Sequence, residues 1–337
     1  MLTELDHLPR EFLHVEASEL HAILPGSTLI HLPGRREAPL FVSILLHGNE
    51  DTGLKAMQVV LKKYQQQQLP RALSLFVGNI EAARAGVRRL QGQVDFNRVW
   101  PSDEDAEITQ EHRMMHTVTD IMRKRGVFAS IDIHNNTGLN PHYACLNRLD
   151  EPFLHLATMF SRIVVYFIHP KGVQSEAFGQ LCPAVTLECG KPGGMGGVEH
   201  AASFVEGALH LSDFPAHPVA SQDLELFQSV AVVKVPDTVS LSVGDPSTDL
   251  CLIEQIDFYN FRLLEPGTQL GTIANDCHQP LHVHNGVNMD VSNHYFENRD
   301  GQLLTTRRVM PAMLTRDIRI IRQDCLCYLM ERLDRPF

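Results

Sequence analysis

The chain has 337 residues, 44% of them apolar and 20% charged, values that exclude a fibrous or disordered polymer and fit a globular protein. At more than twice the size of a typical domain it is expected to form two domains and to bury a sizeable core without staples. Lys and Arg number 29 against 40 Asp and Glu, a net charge of -11, so the chain repels phosphate backbones and a general nucleic-acid binder is excluded.

The densest basic cluster, Arg84, Arg88, Arg89 and Arg98, is too thin to reverse that balance. The seven cysteines are scattered and odd in number, with no Cys-x-x-Cys. Free thiols in a reducing, cytoplasmic setting are expected. The opening MLTELDHLPREFLH carries charges where a secretory signal would be apolar, so no such signal is expected. No apolar run approaches the ~18 residues of a membrane span.

In chain order, Leu40–Leu46 is a short apolar run ending at His47, and Leu54, Met57, Leu61 and Tyr64 follow at helical spacing. Gln65–Gln68 reads as an exposed helix end. Leu73–Val77 predicts a second strand. Asp103–Arg125 predicts a long helix, acidic at its start, basic at its end and stopped by Gly126. Strands are predicted at Val127–Ile133, Ile163–Ile168 and Ala184–Leu187, then a helix over Val198–Leu211. This alternation of apolar strands with helices predicts a mainly parallel α/β sheet covered on both faces. The pattern changes at the proline-bearing stretch Asp213–Ala220. Beyond it Val230–Val235, Leu250–Phe258 and Ile318–Ile321 predict short strands separated by turn signals. The expected division is a catalytic domain over 1–213 and a smaller β-rich domain over 214–337.

The chemistry gathers where strands end. His47-Gly-Asn-Glu50 sits where a strand gives way to a helix, and His134 ends the apolar strand Ser130-Ile-Asp-Ile-His134. The carboxyl ends of parallel strands face the usual binding crevice of an α/β sheet. Two imidazoles and one carboxylate are the His2Glu set of catalytic zinc, with a fourth position for water. A general base should then accept a proton from that water and pass it to the leaving amine. Glu188, ending the apolar strand Val185-Thr-Leu-Glu188, is the candidate. Asn97 beside Arg98 offers an amide and a guanidinium fork to a carboxylate, and Arg88 or Arg89 suits an oxyanion.

His47-Gly-Asn-Glu50, Asp95-Phe-Asn97-Arg98, Asp132-Ile-His134 and Leu187-Glu188-Cys-Gly190, in this order, resemble the succinylglutamate desuccinylase/aspartoacylase family of the zinc carboxypeptidase superfamily. Gly78-Asn79 is similar to the family's Gly-Asn-Pro turn. Leu264-Glu-Pro-Gly267 and His294-Tyr295-Phe-Glu297 with Thr305-Thr306 are similar to its β domain. The resemblance implies a zinc-carboxypeptidase-like mixed sheet flanked by helices, with a smaller C-terminal β-rich domain. It implies one zinc ion held by His47, Glu50 and His134, and Glu188 as general base and acid. Asn97 and Arg98 would grip the α-carboxylate of the substrate, Arg88 or Arg89 would stabilise the carbonyl oxygen, and Tyr295 would reach the site from the second domain. A homodimer is a further implication.

Two departures bear on the substrate. The family's Arg lies seven residues before the Asn, where this chain has Leu90, so the choice between Arg88 and Arg89 stays open. The stretch Val173–Gly179, where the family carries an Arg for the acyl carboxylate, has Glu176 and no Arg; Lys171 is the nearest cation. An N-acyl amino acid with a neutral acyl group then fits the residues about as well as a dicarboxylic one.

The expected activity is zinc-dependent hydrolysis of the amide bond of an N-acyl amino acid. The alternatives are a metallocarboxypeptidase acting on short or modified peptides and a catalytically silent metal-binding protein. Cys277, His278, His282 and His284 have the composition of a second metal site but lack an evident partner. Cys189 has no His placed to activate it. His142 and Tyr143 read as cleft or loop residues, and alternation turns Asp132 to the same side as His134.

Overall fold

The computed structural model describes residues 2–102 and 109–334. The chain gathers into two compact units. One comprises the chain up to Asn135 together with His142–Tyr166 and Pro170–Glu225; the other comprises Asn136–Pro141, Phe167–His169 and the chain from Leu226 onward.

The strands of the first unit are β1 (Thr3–Leu5), β2 (Thr28–Leu32), β3 (Gly34–Ile44), β4 (Leu69–Val77), β5 (Ala129–His134), β6 (Tyr143–Leu146), β7 (Ile163–Tyr166) and β8 (Ala184–Glu188). They run in the order β1-β2-β4-β3-β5-β8-β6-β7. β4, β3, β5 and β8 are mutually parallel at the centre, whereas β2 and β6 enter antiparallel. The helices are α1 (Thr52–Lys63), α2 (Ile80–Ala85), α3 (Gln110–Arg125), α4 (Glu151–Phe160), α5 (Gln174–Phe178) and α6 (Met195–His210).

α1 buries Leu54, Met57, Val60 and Leu61, a stripe at three- and four-residue spacing that seats it on the sheet. Its Gly53 lies against Ile44 and Ile133, where a Cβ would come within 2.8 Å of Ile44. α3 begins at a capping box: the Thr109 hydroxyl accepts from the His112 N–H, and the His112 ring answers at the Thr109 N–H. It ends at Gly126, whose φ of +63° suits glycine. The expected start of this helix, over 103–108, lies outside the described residues. On the face of β3 and β4 that carries Phe41 and Phe76, both rings pack edge-on against the fully buried Trp100, and Phe178 of α5 stacks on Phe41 at 4.2 Å. This aromatic cluster fixes α5 and the segment around Trp100 over one face of the sheet.

The second unit holds β9 (Glu225–Lys234), β10 (Leu241–Val243), β11 (Leu250–Leu252), β12 (Gln269–Ile273), β13 (His282–Asn285), α7 (Ser292–Tyr295), β14 (Phe296–Arg299), β15 (Gln302–Thr305), β16 (Met310–Ala312), α8 (Ile318–Gln323) and β17 (Cys327–Arg332). One sheet runs β10-β11-β12-β15-β14, and β13, β9, β17 and β16 pair in turn. Leu250, Leu252, Ile256, Leu270, Val283 and Leu329 lie in its core. Two predicted strands differ here. Leu250–Phe258 is a strand only to Leu252, after which Ile256–Tyr259 closes a 3-10 turn. Ile318–Ile321 is helical: the Asp317 carboxylate accepts from the Arg319 N–H at 3.0 Å, and this N-cap overrides the apparent alternation. No helix among the described residues is long and apolar enough to cross a membrane.

Candidate metal centre and active site

β3 leaves the sheet through Leu45, whose φ of +54° is a left-handed conformation that leucine adopts only under constraint. The N–H groups of Gly78 and Asn79 supply it, donating to the carbonyls of Ile44 and Leu45 at 3.0 and 2.7 Å. Gly48 is needed beside them, because a Cβ there would lie 2.2 Å from the backbone of Ala82 and Ala83. The resulting turn presents His47 and Glu50 just before α1. His134 ends β5, and the parallel register sets it beside Glu188 at the end of β8; Tyr143 of β6 flanks Glu188 on its other side. Residues paired in register project from the same face.

His47 Nδ1 lies 2.8 Å from Glu50 Oε1, His134 Nδ1 lies 2.8 Å from Glu50 Oε2, and the two Nδ1 atoms are 3.2 Å apart. All three residues are buried, and among the described residues they are the group of His, Cys, Asp and Glu able to hold a metal ion. The outer nitrogens explain how. His47 Nε2 is 3.0 Å from Asp95 Oδ1, and His134 Nε2 is 2.7 Å from Asp132 Oδ2. An ionised carboxylate only accepts, so each Nε2 carries a proton and each neutral imidazole turns the lone pair of Nδ1 inward. Two ring nitrogens and two carboxylate oxygens then converge with no donor among them. The Arg88 guanidinium lies beside two of these carboxylates, those of Asp95 and Glu50. This donor set fits a divalent cation.

Burial and Arg88 oppose a charge on His47, but Glu50 and Asp95 outweigh them and raise its pKa. Burial also works against the His134 imidazolium, yet Asp132 and Glu50 hold its pKa well above the usual value. Burial disfavours the Glu50 carboxylate in turn, and His47 and His134 overcome it, holding Glu50 well below the usual carboxylate range. The Asn135 N–H donates to Glu50 Oε2 at 3.0 Å, and the Asn135 side chain ties the site to Thr52 and to the Gly190 carbonyl. Ser43 donates to Asp132 at 2.6 Å.

The two candidate arginines part company. Arg88 is buried; its Nη2 lies 3.0 Å from Asp95 Oδ2 and its Nη1 3.7 Å from Glu50 Oε1. Arg89 donates instead to the Gln93 carbonyl at 2.9 Å. The Asn97 amide nitrogen lies 3.3 Å from Asp132 Oδ2 and 3.1 Å from His134 Nε2, and its oxygen accepts from the Gln174 N–H at 2.9 Å. With His134 Nε2 protonated, the Asn97 amide donates to Asp132, the carboxylate that faces the same Nε2. Arg98 is half-buried and donates to the Asn97 carbonyl at 2.7 Å. Tyr295 belongs to the second unit, buried at the end of α7, with the Arg307 guanidinium 5.6 Å from its ring centroid.

Lys171 pairs with Glu176 at 2.6 Å, and Glu176 also accepts from the Gly172 N–H. Gln174 and Ser175 of α5 bond Ser130 and Thr186 on the sheet beneath. Burial, with Glu188 adding to it, pushes the Cys189 thiol well up, which removes it as a nucleophile. His282 and His284 share β13 with ring centroids 6.2 Å apart and, among the described residues, belong to no ligand group of three. His142 Nδ1 lies 2.9 Å from that of His200, whose ring stacks on Phe160. Asp95 and Asn135 carry no separate metal-ligand signal in the sequence. The Asp-x-Asn spacing of an Asx-turn is the cue to Asp95, since the Asn97 N–H donates to its Oδ1 at 2.8 Å.

The family model for the succinylglutamate desuccinylase/aspartoacylase catalytic domain matches residues 40–214. The chain belongs to the succinylglutamate desuccinylase/aspartoacylase family. The matched stretch contains the whole cluster from His47 to Glu188. Solved structures share the fold. The succinylglutamate desuccinylase from Chromobacterium violaceum aligns with a TM-score of 0.58 at 18% identity, over 90% of this chain and 87% of its own. Murine aminoacylase 3 aligns at 0.58 and 15% identity, over 89% and 96%. The succinylglutamate desuccinylase/aspartoacylase from Rhodobacter sphaeroides aligns at 0.58 and 13%, over 91% and 88%. At these identities the likeness speaks for the fold. No curated protein sequence matches the chain.

Proposed function

We propose that this member of the family is a zinc-dependent hydrolase that cleaves the amide bond of N-acyl amino acids, with Glu188 as general base and acid. The observation that carries the reading is the inward-facing acceptor set of His47, Glu50 and His134, backed by Asp95 and Asp132 and set in register with Glu188. Membership of the family, and relatives named desuccinylase and aminoacylase, supply the reaction class.

His47, Glu50 and His134 would hold the zinc ion, which when bound polarises the amide carbonyl and lowers the pKa of water to roughly 7. Glu188 takes the proton of the attacking water and returns it to the nitrogen as the C–N bond breaks. Arg88, rather than Arg89, serves the carbonyl oxygen as negative charge develops there. Arg98 is the fork for the α-carboxylate, and Asn97 beside it donates to Asp132, the carboxylate that faces His134 Nε2.

The test is hydrolysis of a panel of N-acyl amino acids, neutral and dicarboxylic in the acyl part, with C-terminally free peptides alongside. Glu188→Gln is expected to lower kcat by about 10^2–10^4 while zinc content stays unchanged. Cleavage of peptides alone would shift the reading to a carboxypeptidase. No turnover at full zinc occupancy would overturn it.

A further inference from the structure

We propose that Asp95 is a positioning residue that couples the metal centre to Arg88, one carboxylate oxygen steadying His47 and the other holding the guanidinium off Glu50. The part that concerns catalysis rests on the amide-hydrolase reading; the part that concerns metal binding does not.

The two oxygens have separate work. Oδ1 faces His47 Nε2 at 3.0 Å and accepts the Asn97 N–H at 2.8 Å, while Oδ2 faces Arg88 Nη2 at 3.0 Å. The Asp95 carbonyl accepts the Arg98 N–H at 3.0 Å, so the same residue also sets the turn that carries Asn97 and Arg98. A second link closes the circuit: the Gly48 N–H, next to His47, donates to the Arg88 carbonyl at 3.1 Å. His47, Gly48, Arg88 and Asp95 thus form a closed ring, and a shift of one member moves the others.

The ring has an electrostatic consequence. Arg88 Nη1 stands 3.7 Å from Glu50 Oε1, longer than a hydrogen bond. The Asp95 carboxylate is the nearer anion for Arg88, and it leaves Glu50 free to face the centre. With Asp95 neutralised, Arg88 would close on Glu50 and compete with a cation for the same oxygen. An arginine suited to a substrate oxygen would then become an inhibitor of metal binding.

The experiment measures zinc affinity by competition with a chromophoric chelator on the metal-stripped, full-length chain. It compares Asp95→Asn, Arg88→Met and the double variant, with circular dichroism to verify folding. Asp95→Asn is expected to weaken zinc binding by about 10–100-fold, and Arg88→Met alone to leave it near wild type. The double variant is expected to bind zinc more tightly than Asp95→Asn, because no guanidinium remains to close on Glu50. A merely structural Asp95 would make the double variant as weak as Asp95→Asn or weaker, and that result overturns the proposal. So does an affinity of Asp95→Asn within about twofold of wild type, against the loss expected for such a partner. Asp95→Ser replaces Asp95→Asn if the latter fails to fold. With an active substrate in hand, the kcat penalty of Arg88→Met is expected to shrink in the Asp95→Asn background. If no N-acyl amino acid is cleaved while the affinity pattern holds, the functional reading falls and the coupling stands.

Discussion

The affinity of this centre for zinc should rise steeply with pH, and the slope follows from the protons the ion must displace. In the metal-free chain the His134 pKa stands well above its usual value and that of His47 is also raised. Glu50, held low by the two imidazoles against its burial, stays ionised throughout and releases nothing. Each displaced proton changes the affinity tenfold per pH unit, so two displaced protons give about 100-fold, or about 2.7 kcal/mol, per unit. The slope should approach two below the His47 pKa and fall to one above it, while His134 still carries its proton. Stability has the opposite sign in the absence of metal. The raised imidazole pKa values contribute stability that is fully present below about 6.5 and is lost as pH rises through the folded-state values. The gap in Tm between zinc-loaded and stripped protein should therefore widen from about pH 6 to 8. Chelator competition in non-coordinating buffers gives the slope, and scanning calorimetry of both forms gives the gap. A slope near zero would mean that the imidazoles are already neutral without metal, and the argument from Asp95 and Asp132 would fail.

Other outcomes follow from single contacts. Gly48→Ala forces a Cβ onto the backbone of Ala82 and Ala83 and should cost about 1–3 kcal/mol in urea unfolding, weakening zinc binding as well. Gly196→Ala on α6 meets nothing within 4 Å and should stabilise by about 0.5–1 kcal/mol; equal effects at the two glycines would refute the steric reading. Burial and the neighbouring His200 lower the pKa of His142, so its contribution is present above about 6.5 and lost as pH falls. The Tm of His142→Gln should therefore fall less steeply than wild type on acidification, and parallel curves would count against this. Burial pushes up the thiols of Cys145, Cys182, Cys189, Cys327 and also Cys277, so access decides, and a thiol reagent at neutral pH should reach the part-exposed Cys277 first. Peptide mapping checks that order.

The strand ends that carry His47, His134 and Glu188 were legible because each closes a short segment rich in apolar residues. What stayed hidden depends on contacts distant in sequence. Arg88 and Arg89 are equivalent as neighbours in a chain; they differ because the Gly48 N–H captures one carbonyl and Asp95 one guanidinium. Asn97 reads as a ligand for a carboxylate, and its bond to Asp132 is visible only once the chain places its amide beside the end of β5. Ile318–Gln323 reads as a strand until the cap at Asp317 is counted.

One signal lay between these extremes. Ser130-Ile-Asp-Ile-His134 and Thr186-Leu-Glu188 alternate polar with apolar residues, the mark of a strand with one wet face. Yet β5 and β8 are buried along their whole length, where a parallel strand covered on both faces would be a continuous apolar run. A polar face that is not solvated must find partners inside the protein. Here Ser130 accepts from Gln174, Asp132 accepts from Ser43, and Thr186 donates to Ser175. At the last rung His134 stands in register with Glu188, and its ring meets Asp132 on one side and Glu50 on the other. The alternation is therefore a scaffold of internal hydrogen bonds that ends at the candidate centre, and its uppermost pair is the one to which the proposed function assigns the metal and the base.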